Sequence, residues 1–170
     1  MVEAGTISVQ GMLCDYAEVS GGKLFVTGAG INLIGSTAAE APHPVNIALA
    51  LLVRIPWNAT NQQHKLMIEL VSDTQHGPER VRINELLPPT SPEEDRGTII
   101  ALFNAGRAPT MQVGDETLMP VALPMLGVPL PQIGTYFFAI SIDGTELDRV
   151  SFRLQSVLNM PGVNPGIVPG

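Results

Sequence analysis

The chain has 170 residues, a formal net charge of −7 and one cysteine, Cys14. That length points to one domain with a core large enough to need no staples, and a lone cysteine excludes an internal disulfide framework or an all-cysteine metal site. Its few lysines and arginines are scattered, so it has little with which to neutralise phosphates, and nucleic acid is not an expected partner.

In chain order, TISVQGMLCDYA (6–17) has strand-like spacing, with Gly11 as a possible bulge. Ser20-Gly21-Gly22 signals a turn, and KLFVTGAGINLI follows, so these two runs read as a hairpin of strands over 6–17 and 23–34. After a loop of small residues and prolines (35–44), VNIALALLVRIPW (45–57) is the most apolar run. It suits a strand buried on both faces, since Pro44 and Pro56 bound it too closely for a typical helix. HKLMIELVSD (64–73) alternates Leu66, Ile68 and Leu70 with Lys65, Met67 and Glu69. A turn around His76-Gly77-Pro78 leads to Arg80–Ile83, a short charged strand suited to an edge.

PPTSPEEDRG (88–97) reads as a long surface connection within one domain. Thr98 to Asn104 is another strand, 105–116 a loop, and 117–126 a strand interrupted by Pro120 and Pro124, hence an edge or bulged one. Pro129 to Gly134 then turns into the stretch around which the chain is organised, GTYFFAISIDGTELDRVSFRL (134–154). Two alternating strands fold over Asp143-Gly144 there, as the central pair of an all-β domain. A two-residue type I′ turn would set Ile142 opposite Thr145 and Phe138 opposite Arg149, throwing Val150, Phe152 and Leu154 onto the wrong face. We therefore expect an odd-numbered loop, with Gly144 forming a G1 bulge, to bring both apolar sets to one face.

Some nine strands and no amphipathic helical stretch predict an antiparallel β-sandwich, Ig-like or jelly-roll-like, with a closed barrel as the alternative. The domain is expected over 1–158. The tail NMPGVNPGIVPG (159–170) is either a string of type II turns or a disordered terminus.

No stretch carries a complete chemical motif. Phe25 to Ile31 (FVTGAGI) resembles a dinucleotide fingerprint, but Leu33 stands where the third glycine belongs and no helical face follows. Gly22-Lys23 lacks the rest of a phosphate loop. His43, His64 and His76 are too far apart for a compact zinc motif. Cys14 has an acidic neighbour, Asp15, which disfavours a thiolate nucleophile. Asp15 and Glu18 could gather with Asp73, Asp143 or Asp148 around calcium, without the dense spacing of a calcium loop. A serine nucleophile elbow is missing. No catalytic residue, cofactor or metal is therefore expected. Trp57 and then Tyr16 are the aromatics to consider for ligand contact.

The chain is 45% hydrophobic and 15% charged, leaving few charged side chains to cover a monomer. Self-association or a protein partner is expected. Neither a signal peptide nor an apolar run of spanning length is present, so the expectation is a cytoplasmic protein without membrane insertion. Abundant Ala, Gly and Pro, with arginine outnumbering lysine, point to a bacterial source.

Three segments carry a resemblance: CDYAEVSGGKLFVTGAGINLI, then LALLVRIPW with HKLMIELVSD, then LPQIGTYFFAISIDGTELDRVSF. In that order they resemble a bacterial family of uncharacterised proteins. Its members share a Cys/Ala-Asp-Tyr/Phe-Ala start, a Gly-Lys strand ending in Gly-x-Gly, and a late Gly-x-Tyr-x-Phe…Asp-Gly hairpin. The likeness spans about residues 12 to 154, and it implies a compact β-sandwich and no chemistry. Three functions are left to weigh: a non-enzymatic protein-interaction or assembly module, a small-ligand or carbohydrate-binding module, and a hydrolase or metal-dependent enzyme.

Overall fold

The computed structural model describes residues 5–81 and 97–157. Eleven strands follow in order: β1 (Ser8–Cys14), β2 (Tyr16–Ser20), β3 (Lys23–Thr27), β4 (Leu33–Ser36), β5 (His43–Pro56), β6 (Gln63–Thr74), β7 (Gly77–Arg80), β8 (Thr98–Asn104), β9 (Glu116–Leu130), β10 (Gly134–Ile142) and β11 (Thr145–Ser156). A single 3-10 turn, Trp57–Ala59, interrupts them among the described residues. They form a three-stranded sheet β1-β5-β9, a six-stranded sheet β4-β11-β10-β6-β7 in which β8 also pairs with β6, and the small ribbon β2-β3. The expected β-sandwich is what the chain builds. Among the described residues one pairing departs from the antiparallel rule: β4 lies parallel to β11.

The two large sheets face each other across one core. From β5 come Val45, Ile47, Leu49, Leu51, Val53 and Ile55, and from the other sheet Leu66, Ile68, Leu70, Tyr136, Phe138, Ile140, Phe152 and Leu154. Alternate residues of β5 point the other way, where Ala48 and Ala50 meet Cys14 and Ala17 in a second, smaller cluster beneath the β2–β3 ribbon. This is the strand buried on both faces that its unbroken apolar run predicts. Small side chains at Ala48, Ala50 and Ala122 let the ribbon's backbone lie close to the sheet.

The opening residues do not make one long hairpin. Strand 6–17 breaks at Asp15: β1 goes to β5, while only β2 and β3 pair, over a Gly21-Gly22 turn. Strand 23–34 breaks likewise, because Gly28 and Gly30 hold positive φ of 66° and 92°. A Cβ on Gly28 would strike the Asp15 side chain, and the Gly30 and Ile31 N–H groups donate to the Leu13 carbonyl. These glycines turn a corner into a strand, and no helix follows them. Gly11 is not a bulge either, since β1 and β5 pair without a register shift. It sits where β1 meets β11, and a Cβ there would come within 2.7 Å of Val150 and 3.0 Å of Leu51.

The central hairpin reaches the expected result by another device. Its turn has two residues, with Ile142 opposite Thr145 and both Asp143 (φ 52°) and Gly144 (φ 82°) left-handed, as type I′ requires. The bulge lies farther along. Leu147 is the extra residue between Glu146, opposite Ser141, and Asp148, opposite Ile140. Beyond it Phe138 faces Val150 and Tyr136 faces Phe152, so both apolar sets share the core face. Tyr136 and Phe138 both stack near Phe152, with centroids 5.5 and 6.0 Å away.

β9 ends the three-stranded sheet, as its prolines predict, and carries a bulge where Gly127 (φ 65°) donates its N–H to the Asn46 side chain. The charged edge strand expected over 80–83 begins earlier, at Gly77, and its last residues lie outside the described ones. Most of the connection 88–97 and the tail 159–170 also lie outside them.

Candidate functional site

At one end of the sandwich a cleft of about 500 Å³ opens between the 3-10 turn and the β10–β11 turn. Asn58 and Ala59 line one wall, Asp143, Thr145 and Leu147 the other, with Gly5 to Ile7 alongside. His64, at the start of β6, ties the two walls together. Its Nδ1–H donates to Asp143 Oδ2 at 2.7 Å and its Nε2–H to the Ala59 carbonyl at 2.7 Å. Asp143 also accepts the Lys65 N–H through Oδ1, at 2.9 Å. Phe103 of β8 packs on the imidazole, ring centroids 5.3 Å apart.

The His64 side chain is 6% exposed. Burial alone would lower its pKa, but the Asp143 hydrogen bond, the Ala59 carbonyl and the Asp143 charge together hold it above the ordinary histidine value. The hydrogen bond from His64 and that from the Lys65 N–H hold the Asp143 carboxyl below its ordinary value. Two oxygen acceptors on two ring nitrogens require the imidazolium, which donates at both. Both ring nitrogens are thus engaged, and the pair staples the two walls together.

Trp57 and Tyr16 fall in separate places, and neither lines this cleft. Trp57 begins the 3-10 turn and is half-buried. Arg107 covers its ring, the guanidinium carbon 3.6 Å from the centroid. That guanidinium also donates to the Trp57 carbonyl and to Thr60 Oγ1, each at 2.8 Å, while the Arg107 N–H donates to Asn61 Oδ1. The covered ring face is not an open platform. Tyr16 is 51% exposed on the outer face of the β2–β3 ribbon, with its hydroxyl on Glu18 at 2.8 Å. Phe25, opposite Glu18, is exposed beside it.

The other candidates disperse. His43 is buried against Ser36 Oγ, and His76 is exposed in the turn before β7. Cys14 is buried and donates to the Ala48 carbonyl; burial and the Asp15 charge push its thiol pKa up, against a smaller lowering from the backbone of Tyr16. Asp148 accepts the Gly11 N–H instead of joining Asp143. No group of three or more His, Cys, Asp or Glu among the described residues is placed to hold a metal. No helix among them is long and apolar enough to cross a membrane.

Sequence reasoning missed the two constellations that shape this end, His64 with Asp143 and Trp57 with Arg107. The partners lie 79 and 50 residues apart, and only the strand order brings them together. Asp143 did carry a signal, as the turn residue of the central hairpin, but nothing local pointed to His64.

Fold and site together define an all-β protein of two facing sheets, with a stapled turn at one end of the sandwich. The chain belongs to the family of unknown function DUF6941, whose model matches residues 10–155. No curated protein matches it.

Proposed function

We propose that the chain is a non-enzymatic interaction and assembly module that joins a protein partner, itself included, through an edge of the six-stranded sheet. The observation that carries this reading is β8. Its seven residues, TIIALFN, contain no proline, glycine or charge, and among the described residues it pairs with β6 alone. Ile100 and Leu102 point outward from it, 42% and 63% exposed. An unguarded apolar edge is a template for another strand.

Among the described residues, the other edges of the two large sheets are guarded. Pro120 and Pro124 remove donors from β9, and β4 and β7 have only four residues each. On β1, Asp148 of β11 caps the Gly11 N–H at 2.6 Å. The low charged fraction of the chain fits a surface partly covered by a partner. A cytoplasmic place and a bacterial source belong to the same reading.

Sedimentation velocity over a wide concentration range tests it. A mass that rises with concentration is expected, and a monomer throughout counts against it. The cleft supports a second reading, a small-ligand module, since it offers the exposed Asn58 and Thr145 side chains beside an apolar floor. Saturable amide shifts at those two residues on adding a ligand panel would favour it.

A further inference from the structure

We propose that β8 pairs antiparallel with β8 of a second copy of this chain, about a two-fold axis passing beside Ala101. This rests on the assembly reading above and adds its partner, strand and register. The argument is the strand's self-complementarity. With Ala101 opposite Ala101, Ile100 meets Leu102 of the second copy on the outer face, and Ile99 meets Phe103 on the core face. Thr98 then meets Asn104, two polar ends together. Each contact occurs twice, as a closed two-fold interface demands. A slip of one residue would set Ile100 opposite Phe103 or Ile99 opposite Leu102, and would mismatch the faces.

The surroundings suit that register. Within its own sheet Ile100 is opposite Met67 and Leu102 opposite Lys65, while Ile99 is opposite the core residue Ile68. The paired strands would thus carry an apolar patch of Met67, Ile100 and Leu102 across the axis. On the inner side, the half-buried Ile99 and Phe103 extend the core toward the second copy. No charge on β8 opposes its like across the axis. Seven residues per chain make a small interface beside the roughly 1,600 Å² of a standard one, so association is expected to be weak and concentration-dependent.

Charge exchange tests the register directly. Ile100→Lys places its ammonium against Leu102 of the second copy, and Leu102→Glu places its carboxylate against Ile100. Both native side chains are exposed, so each variant should keep the fold, which circular dichroism checks. Each variant alone should weaken self-association by about tenfold or more, through the unpaired charge and its like neighbour near the axis. An equimolar mixture should recover a dimer, because the lysine of one chain then faces the glutamate of the other while Leu102 still faces Ile100.

A wild-type protein that is monomeric at every concentration overturns this proposal and the assembly reading together. A wild-type dimer indifferent to both substitutions overturns β8 as the interface and leaves assembly standing through another surface. Dissociation by the single variants without recovery in the mixture overturns the register centred on Ala101.

Discussion

The β2–β3 and β10–β11 hairpins both close on two residues with positive φ: Gly21 and Gly22 at 56° and 73°, Asp143 and Gly144 at 52° and 82°. Their turn chemistry is the same, and their fates differ. β10–β11 sits inside the six-stranded sheet, sends Tyr136, Phe138 and Phe152 into the core, and has its turn tied to β6 by His64 and the Lys65 backbone. β2–β3 is a two-stranded ribbon on the outside of the other sheet, resting on alanines and one cysteine. A turn sequence sets how a chain reverses. How firmly the reversal is held depends on what its strands bury and what meets its tip.

The largest break in that contrast comes from the core side of β10–β11. Phe152 is 2% exposed and stacks near both Tyr136 and Phe138. Phe152→Ala should cost about 3–5 kcal/mol through lost transfer energy and an unfilled cavity, read as a fall in the urea midpoint. The ribbon buries nothing of that size: its inward residues are Ala17, Leu24 and Val26.

Next in size is the staple. Asp143→Ala leaves a buried imidazole N–H and the Lys65 N–H without their acceptor, a loss of about 1–3 kcal/mol. Asp143→Asn should lose less, since the amide oxygen can still accept one of them. The pH dependence follows from the two shifts. His64 has a raised pKa, so its share of stability is fully present below 6.5 and disappears as pH rises through the higher folded value. Asp143 has a lowered pKa, so its share is present above 3.8 and disappears as pH falls through the lower folded value. Wild type should therefore exceed Asp143→Asn most between those limits, with the gap narrowing on both sides. Asp143 is about half exposed, so solvent screens the Coulomb part and the hydrogen bonds carry the difference. Denaturation of both proteins across pH measures it; a gap constant with pH would show that the pair is not ionised.

Much of the fold was legible for reasons the same contrast explains. β5, β6, β8 and β10 announce themselves because burial on one or both faces writes a periodic or unbroken apolar pattern into the sequence. β8 falls on the expected residues, Thr98 to Asn104. The breaks at Asp15 and at Gly28 were not legible, since they arise from Asp15 packing against Gly28 and from Leu13 accepting two N–H groups. The bulge at Leu147 illustrates the limit. Hydrophobic patterning required one extra residue somewhere in the hairpin, but did not say whether the turn or the strand would take it. At the stapled end, Asp143 and Trp57 stand out by type and position, whereas His64 and Arg107 acquire their roles only from the order of strands in space.

The smallest effects separate the hairpins most sharply. Gly22 and Gly144 both have open space where a Cβ would go, so alanine at either costs only the left-handed backbone, about 1–2 kcal/mol. Because both substitutions destabilise the native state, each should speed hydrogen exchange of the core amides in β6 and β10 by about 5–30-fold, the factor that 1–2 kcal/mol implies. The ribbon amides decide between two pictures. If β2–β3 opens by itself, Gly144→Ala raises the free energy of the closed and the opened forms equally, and exchange at Glu18 and Phe25 stays at the wild-type rate. Gly22→Ala penalises only the closed ribbon, and exchange at those residues speeds up. If the ribbon opens only when the whole molecule unfolds, both substitutions speed Glu18 and Phe25 alike. The thin alanine floor under the ribbon, against the aromatic core and the His64 staple that hold β10–β11, predicts the first result.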